Sequence, residues 1–92
     1  MDFEWDATKA ASNLLKHRIS FEDAARVFLD PNRIETIDVR DAYGEDLWET
    51  LGLVEPASLV VVYTIRGIDG EVIRLISARK ADAHERAQYR KI

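Results

Sequence analysis

The chain opens on an alternation of apolar and acidic residues, Phe3-Glu4-Trp5, which reads as a short strand. Asp6 then stands where a capping carboxylate belongs, ahead of a helix with Ala7, Ala10, Ala11 and Leu14 on one face. A second helix starts at Ile19-Ser20-Phe21-Glu22-Asp23-Ala24. Ser20 is its cap, Asp23 takes the capping-box position, and Ile19 can staple onto Ala24. Phe21, Ala24, Ala25 and Phe28 form its apolar stripe, and Asp30-Pro31 stops it. With so little chain at residues 16–19, the two helices must turn sharply.

From Ile34 the period changes to that of strands. Residues 34–39 alternate imperfectly, 40–46 (RDAYGED) form a polar turn, and 47–54 (LWETLGLV) make the next strand, broken by Glu55-Pro56. The β-branched run LVVVYTI at 59–65 predicts a central strand buried on both faces. Gly67-Ile68-Asp69-Gly70 is a hairpin loop, EVIRLISA at 71–78 the returning strand, and Asp82 with Glu85 opens a last helix. The predicted order is β-α-α-β-β-β-β-α. That is an α+β fold, with two N-terminal helices and a C-terminal helix on a small antiparallel sheet.

The 92 residues make one domain, 1–92, without cysteine and hence without disulfides or thiolate metal sites. No run reaches the ~20 apolar residues of a membrane span, and the start lacks a signal peptide's basic and apolar regions. A cytoplasmic protein without membrane contact is expected. The net charge of −4 is unevenly spread: residues 1–58 hold 13 acids against 6 Lys and Arg, and residues 59–92 hold 4 against 7. The final stretch, SARKADAHERAQYRKI, gathers Arg79, Lys80, His84, Arg86, Arg90 and Lys91. A basic end on an acidic chain suits an anionic ligand bound on one side. His17 and His84 have no ligand-like spacing, and there is neither a glycine-rich phosphate loop nor a Gly-x-Ser-x-Gly elbow. No metal and no cofactor are expected.

Two blocks resemble a known family. EWDATKAASNLLKHRISFEDAARVFLDP is similar to the opening of BrnT-type toxins, with its Trp-Asp, Asn-x-x-Lys-His, Phe-x-x-Ala and Asp-Pro, and VVYTIRGIDGEVIRLISARKADAHERAQY to their second block, with Ile-Ser-Ala-Arg and Glu-Arg-x-x-Tyr. The resemblance implies a compact RelE-like domain and metal-independent endoribonuclease activity that inhibits translation. It also implies a cognate ribbon-helix-helix antitoxin, BrnA-like, through which alone operator DNA is bound. Two positions depart from the family. Arg18 stands where members place Gly, and Leu47-Trp48-Glu49-Thr50-Leu51-Gly52 puts Leu47 where many carry Arg.

RNA cleavage by the neighbouring 2′-hydroxyl needs a proton acceptor, a proton donor for the leaving 5′-oxygen, and a cation for the charge growing on phosphorus. Arg79, at a strand exit within Ser-Ala-Arg, suits the last task through its fixed charge and forked donors; paired with Asp82 or Glu85 it would be an ordinary surface cation. Glu85, His17 and Lys16 are the other catalytic candidates. Glu85 doubles as the capping-box residue, and Lys16 and His17 also complement the dipole at the end of the first helix. Arg66, Arg74, Arg86, Tyr89 and Arg90 are the candidates for RNA binding. Tyr89 suits base stacking or, alternatively, packing on the sheet. In a regular strand Arg74 and Arg79 have opposite parity and face opposite ways unless a bulge intervenes. Leu47 in place of a cation keeps open an alternative: a weak, toxin-derived module that binds antitoxin without efficient cleavage. Arg40 is a possible replacement for the missing charge.

Overall fold

Strand β1 (Asp2–Glu4) leads into helix α1 (Ala7–His17), helix α2 (Phe21–Ala25) and a 3₁₀ turn (Arg26–Leu29). Strands β2 (Ile34–Asp38), β3 (Leu47–Val54), β4 (Ala57–Arg66) and β5 (Val72–Lys80) follow, then helix α3 (Ala83–Tyr89). The computed structural model describes residues 1–38 and 46–91. Arg40, and all of the turn expected at 40–46 except Asp46, lie outside the described residues.

The architecture is α+β, with one sheet of order β1-β5-β4-β3-β2. The sheet is mixed rather than wholly antiparallel: β1 runs parallel to β5, with Asp2 opposite Val72 and Glu4 opposite Arg74, and the other neighbours are antiparallel. Because β1 leaves into a helical layer and not a hairpin, no tight turn obliges it to oppose its neighbour. The apolar run of β4 lies at the centre. Leu59, Val61 and Tyr63 face α1, α2 and the 3₁₀ turn, together with Phe21, Val27, Leu75 and Ala78. Val60 faces the other side, where it meets Leu51, Ala81 and the ring of Tyr89.

The helical layer departs from the expected stripes. On α1 the one buried residue is Asn13, whereas Leu14 is half exposed and Ala7 and Ala11 face solvent. The reason is an unfilled strand edge. Beyond Glu4 no described strand residue pairs with β5 on its β1 side, and Asn13 takes the place of a strand: it accepts from Ala78 N–H at 3.0 Å and donates to Ala78 C=O at 2.9 Å. The same amide donates to Ile19 C=O at 3.1 Å, tying down the turn between the helices. The second helix is shorter than its apolar run. It tightens into the 3₁₀ turn, and this brings Val27 into the core beside Phe21 and Ala24.

Ser20 and Asp6 cap as their chemistry requires, accepting from Asp23 N–H at 3.0 Å and Lys9 N–H at 2.9 Å. Between the helices Arg18 adopts the left-handed conformation (φ 62°, ψ 29°), and its N–H bonds Leu14 C=O. Arg18 thus makes the left-handed turn that glycine would adopt more readily. Gly52 has a different reason to be glycine: a Cβ there would lie 2.7 Å from Cγ2 of the buried Val27 and 3.1 Å from Arg33 Cβ.

Two stability measurements follow from this layer. Arg18→Gly relieves a left-handed strain of about 1–2 kcal/mol but adds unfolded-chain entropy, so a net gain of about 0.5–1 kcal/mol is expected in urea melts. Asn13→Ala strands the buried N–H and C=O of Ala78 together, and should cost about 2–4 kcal/mol in the same assay.

Candidate functional site

The geometry of the site begins with one extra residue in β5. Val62 pairs with Ser77 and Tyr63 with Leu75, so Ile76 is left over as a bulge. Beyond it the alternation is shifted by one. Arg74, opposite Thr64, and Arg79, opposite Val60, therefore emerge on the same face of the sheet, the one that carries α3. The opposite parity expected of a regular strand does not hold. Leu47 belongs to this face as well, by alternation from Glu49 (opposite Val62) and Leu51 (opposite Val60). It lies at the level of Thr64 and Arg74, away from Arg79.

Arg79 is held end-on by Glu85. Nη1 bonds Oε1 at 2.8 Å and Nη2 bonds Oε2 at 2.9 Å, while Nη1 also donates to Lys80 C=O. Glu85 is itself fixed by the capping box of α3, accepting from Asp82 N–H at 2.9 Å while its own N–H donates to Asp82 at 2.8 Å. The guanidinium bonds draw the Glu85 carboxyl down to about 2 against a weaker upward pull from burial, and the Asp82 N–H and His84 assist. The same pairing raises Arg79 above its ordinary value. So low a value makes Glu85 a feeble proton acceptor near neutrality, but a permanent anchor for the cation. Of the five guanidinium N–H groups, Nε–H and one Nη2–H stay uncommitted among the described residues. They form the side-on edge suited to two phosphate oxygens.

Helix α3 is pinned at its far end. The Tyr89 hydroxyl donates to Asp30 Oδ2 at 2.5 Å, and the same carboxylate accepts from Leu53 N–H at 2.8 Å. Burial pushes the Asp30 carboxyl upward, but the bonds from Tyr89, Leu53 and Asn32, with the field of Arg33, outweigh it and leave the group below its usual range. Tyr89 is raised to about 12, first by its bond to Asp30 and then by burial. Its ring lies against the cluster of Leu51, Val60 and Ala81. Of the two roles open to Tyr89, base stacking or packing on the sheet, this arrangement is the second, with ring and hydroxyl both engaged.

The remaining candidates fall in three places. Arg86 donates to Ala81 C=O at 2.8 Å, and Arg90 is the exposed C-cap of α3. Arg74 pairs with Glu4 at 2.7 Å, which joins β5 to β1. Arg66 lies six residues along β4 from Val60, the partner of Arg79, or about 20 Å by strand rise, so one phosphate cannot engage both. Lys16 and His17 are on the opposite, helical side. With Lys9 and Ser12 they line a groove against Ile76 and Ser77 at the open edge of β5. Among the described residues no three His, Asp or Glu side chains converge as a metal site would require.

Reading the sequence missed three residues that build this site: Asn13, Asp30 and Glu4. Asn13 had a visible signal, an amide in a helix interior directly ahead of two leucines. Asp30 was read as a helix stop, and its long-range bonds left no local trace.

The family model for the ribonuclease toxin BrnT of type II toxin–antitoxin systems matches residues 5–85. No curated protein sequence matches the chain. Among solved structures, the Brucella abortus ribonuclease toxin BrnT is similar, with 25% sequence identity and a TM-score of 0.67 over 89% of this chain and 97% of that one. The family match over residues 5–85 covers both the helical layer and the strand that presents Arg79. The chain belongs to the BrnT family of ribonuclease toxins of type II toxin–antitoxin systems.

Proposed function

We propose that this protein is a metal-independent endoribonuclease of RelE-like descent, acting in the cytoplasm to arrest translation until a ribbon-helix-helix antitoxin neutralises it. Operator DNA is reached only through that antitoxin. The observation that carries the reading is Arg79: it emerges on the α3 face with its side-on edge uncommitted among the described residues, and Glu85 fixes its orientation. A phosphate docked on that edge gains a preorganised cation where negative charge develops.

In the reaction the 2′-hydroxyl gives its proton to a base, its oxygen bonds phosphorus, and the bond to the 5′-oxygen breaks as that oxygen gains a proton. Arg79 stabilises the phosphorane. Glu85 acts as its positioning residue, its low pKa leaving His17, at the β5 edge, as the candidate for proton transfer. Arg74, on the same face, and Arg86 and Arg90 on α3 supply further positive potential toward the RNA backbone. A second reading, an antitoxin-binding module that cuts RNA poorly, is favoured by Leu47 on the Arg74 level, where many relatives carry a cation.

Expressing the chain alone and following growth and RNA integrity tests the main reading. Arg79→Ala should lower cleavage by roughly 10²–10³, as loss of one preorganised donor does. Intact RNA at a growth rate equal to that of uninduced cells would favour the module. Glu85→Gln should also reduce cleavage, and it adds a pH signature. A carboxyl depressed from 4.5 to about 2 contributes stability above pH 4.5 that disappears as pH falls toward 2. The parent should thus lose stability across that window more steeply than Glu85→Gln in acid titrations followed by circular dichroism.

Leu47→Arg restores a cation level with Arg74. Cleavage of one defined RNA should rise at least severalfold over the parent at matched stability, bounded by the ~10²–10³ of a well-placed donor.

A further inference from the structure

We propose that the groove between α1 and the open edge of β5 is a second phosphate-binding site, which takes the RNA backbone beside the phosphate engaged by Arg79. This rests on the ribonuclease reading above and extends it to the path of the strand. Three observations carry it.

The first is the state of the cations. Arg33, Arg74 and Arg79 are each committed to a carboxylate. Lys9 and Lys16 are exposed, their ammonium groups have no partner among the described residues, and no acidic side chain lines their groove. The second is spacing. Lys9 and Lys16 are two helical turns apart on one face, about 10 Å, a span suited to more than one phosphate. The third is continuity. Ser77 lines the groove and lies two residues before Arg79, about 7 Å along β5. A strand that presents a phosphate to Arg79 passes Ser77 and meets the lysines next.

The rest of the lining fits a polyanion rather than a buried base. Asn13 spends its amide on Ile19 and Ala78, so it does not compete for the ligand. Ser12 and Ser77 add hydroxyls able to bond a phosphate oxygen or a ribose hydroxyl. The ligand class is therefore a single-stranded RNA phosphodiester, held mainly by charge.

The test uses the full chain and a short fluorescein-labelled 2′-O-methyl RNA, which cannot be cut through its 2′-oxygen. Lys9→Gln should weaken binding about fivefold at 0.1 M salt and lower the log–log salt slope by about 0.7, the value for one single-strand phosphate contact. Lys9→Arg should restore both, and thermal melts of all variants should coincide with the parent. Arg26→Gln, an equal charge change on the 3₁₀ turn, should leave the slope unchanged. Equal losses in Lys9→Gln and Arg26→Gln, or no loss in Lys9→Gln, would overturn the groove while leaving a parent that cuts natural RNA a ribonuclease. A parent that neither binds nor cuts RNA would overturn the ribonuclease reading itself, and the groove with it.

Discussion

The amide of Asn13 makes three hydrogen bonds, and the placement of the helical layer against β5 depends on them. It closes the edge of β5 that β1 is too short to cover, and it fastens the turn that leads to α2. Without it the carbonyl and N–H of Ala78 would be buried and unpaired, a penalty large enough to favour detaching the helix. Because Lys16 and His17 sit on the next turn of α1 and Arg79 on the next residue of β5, the clamp sets the distance between the two groups of cations. A side chain with a purely structural role thus fixes how α1 sits against β5.

A second hub, Asp30, does for α3 what Asn13 does for α1. It accepts from the Tyr89 hydroxyl and from Leu53 N–H, and so links the end of the 3₁₀ turn, β3 and the last helix. Helix α3 has only seven residues, too few to persist on its own. Its two ends are held instead by Asp30 and by the Arg79–Glu85 pair. The consequence is economical: the contact that stabilises the helix is also the one that aims the guanidinium. Glu85, one of only four acids in residues 59–92, thus orients an arginine of the basic segment rather than cancelling its charge at random.

What could be read from the sequence was whatever local chemistry decides. Asp6, Ser20 and the Asp82–Glu85 box capped their helices as their side chains dictate, and the β-branched run of β4 lay at the sheet centre. What escaped was long-range. Alternation alone sent Arg74 and Arg79 to opposite faces, whereas the sheet expels Ile76 as a bulge; in regular register the charged Arg79 would point into the helical layer and Ala78 out of it. The small residues of α1 suggested an alanine-lined stripe, but an unfilled strand edge selected Asn13. Glu85 was legible as a cap and as a candidate proton carrier, and only the bidentate contact with Arg79 separates the two roles. The parallel pairing of β1 also had no local sign, because its partner lies about seventy residues away.

Sequence separation has one more consequence, which concerns synthesis. The contacts that close the domain join residues 70, 65 and 59 positions apart: Glu4 with Arg74, Asn13 with Ala78, and Asp30 with Tyr89. Such a contact order delays folding, since the chain bears the loop entropy before any of these bonds rewards it. A nascent chain halted before residue 78 leaves Asn13 without its two bonds to Ala78 and lacks Arg79 altogether. The helical layer cannot lock, and the guanidinium that would face RNA does not yet exist. The Asn13 clamp and the Arg79–Glu85 pair that anchors α3 form only once the chain has been made through Glu85.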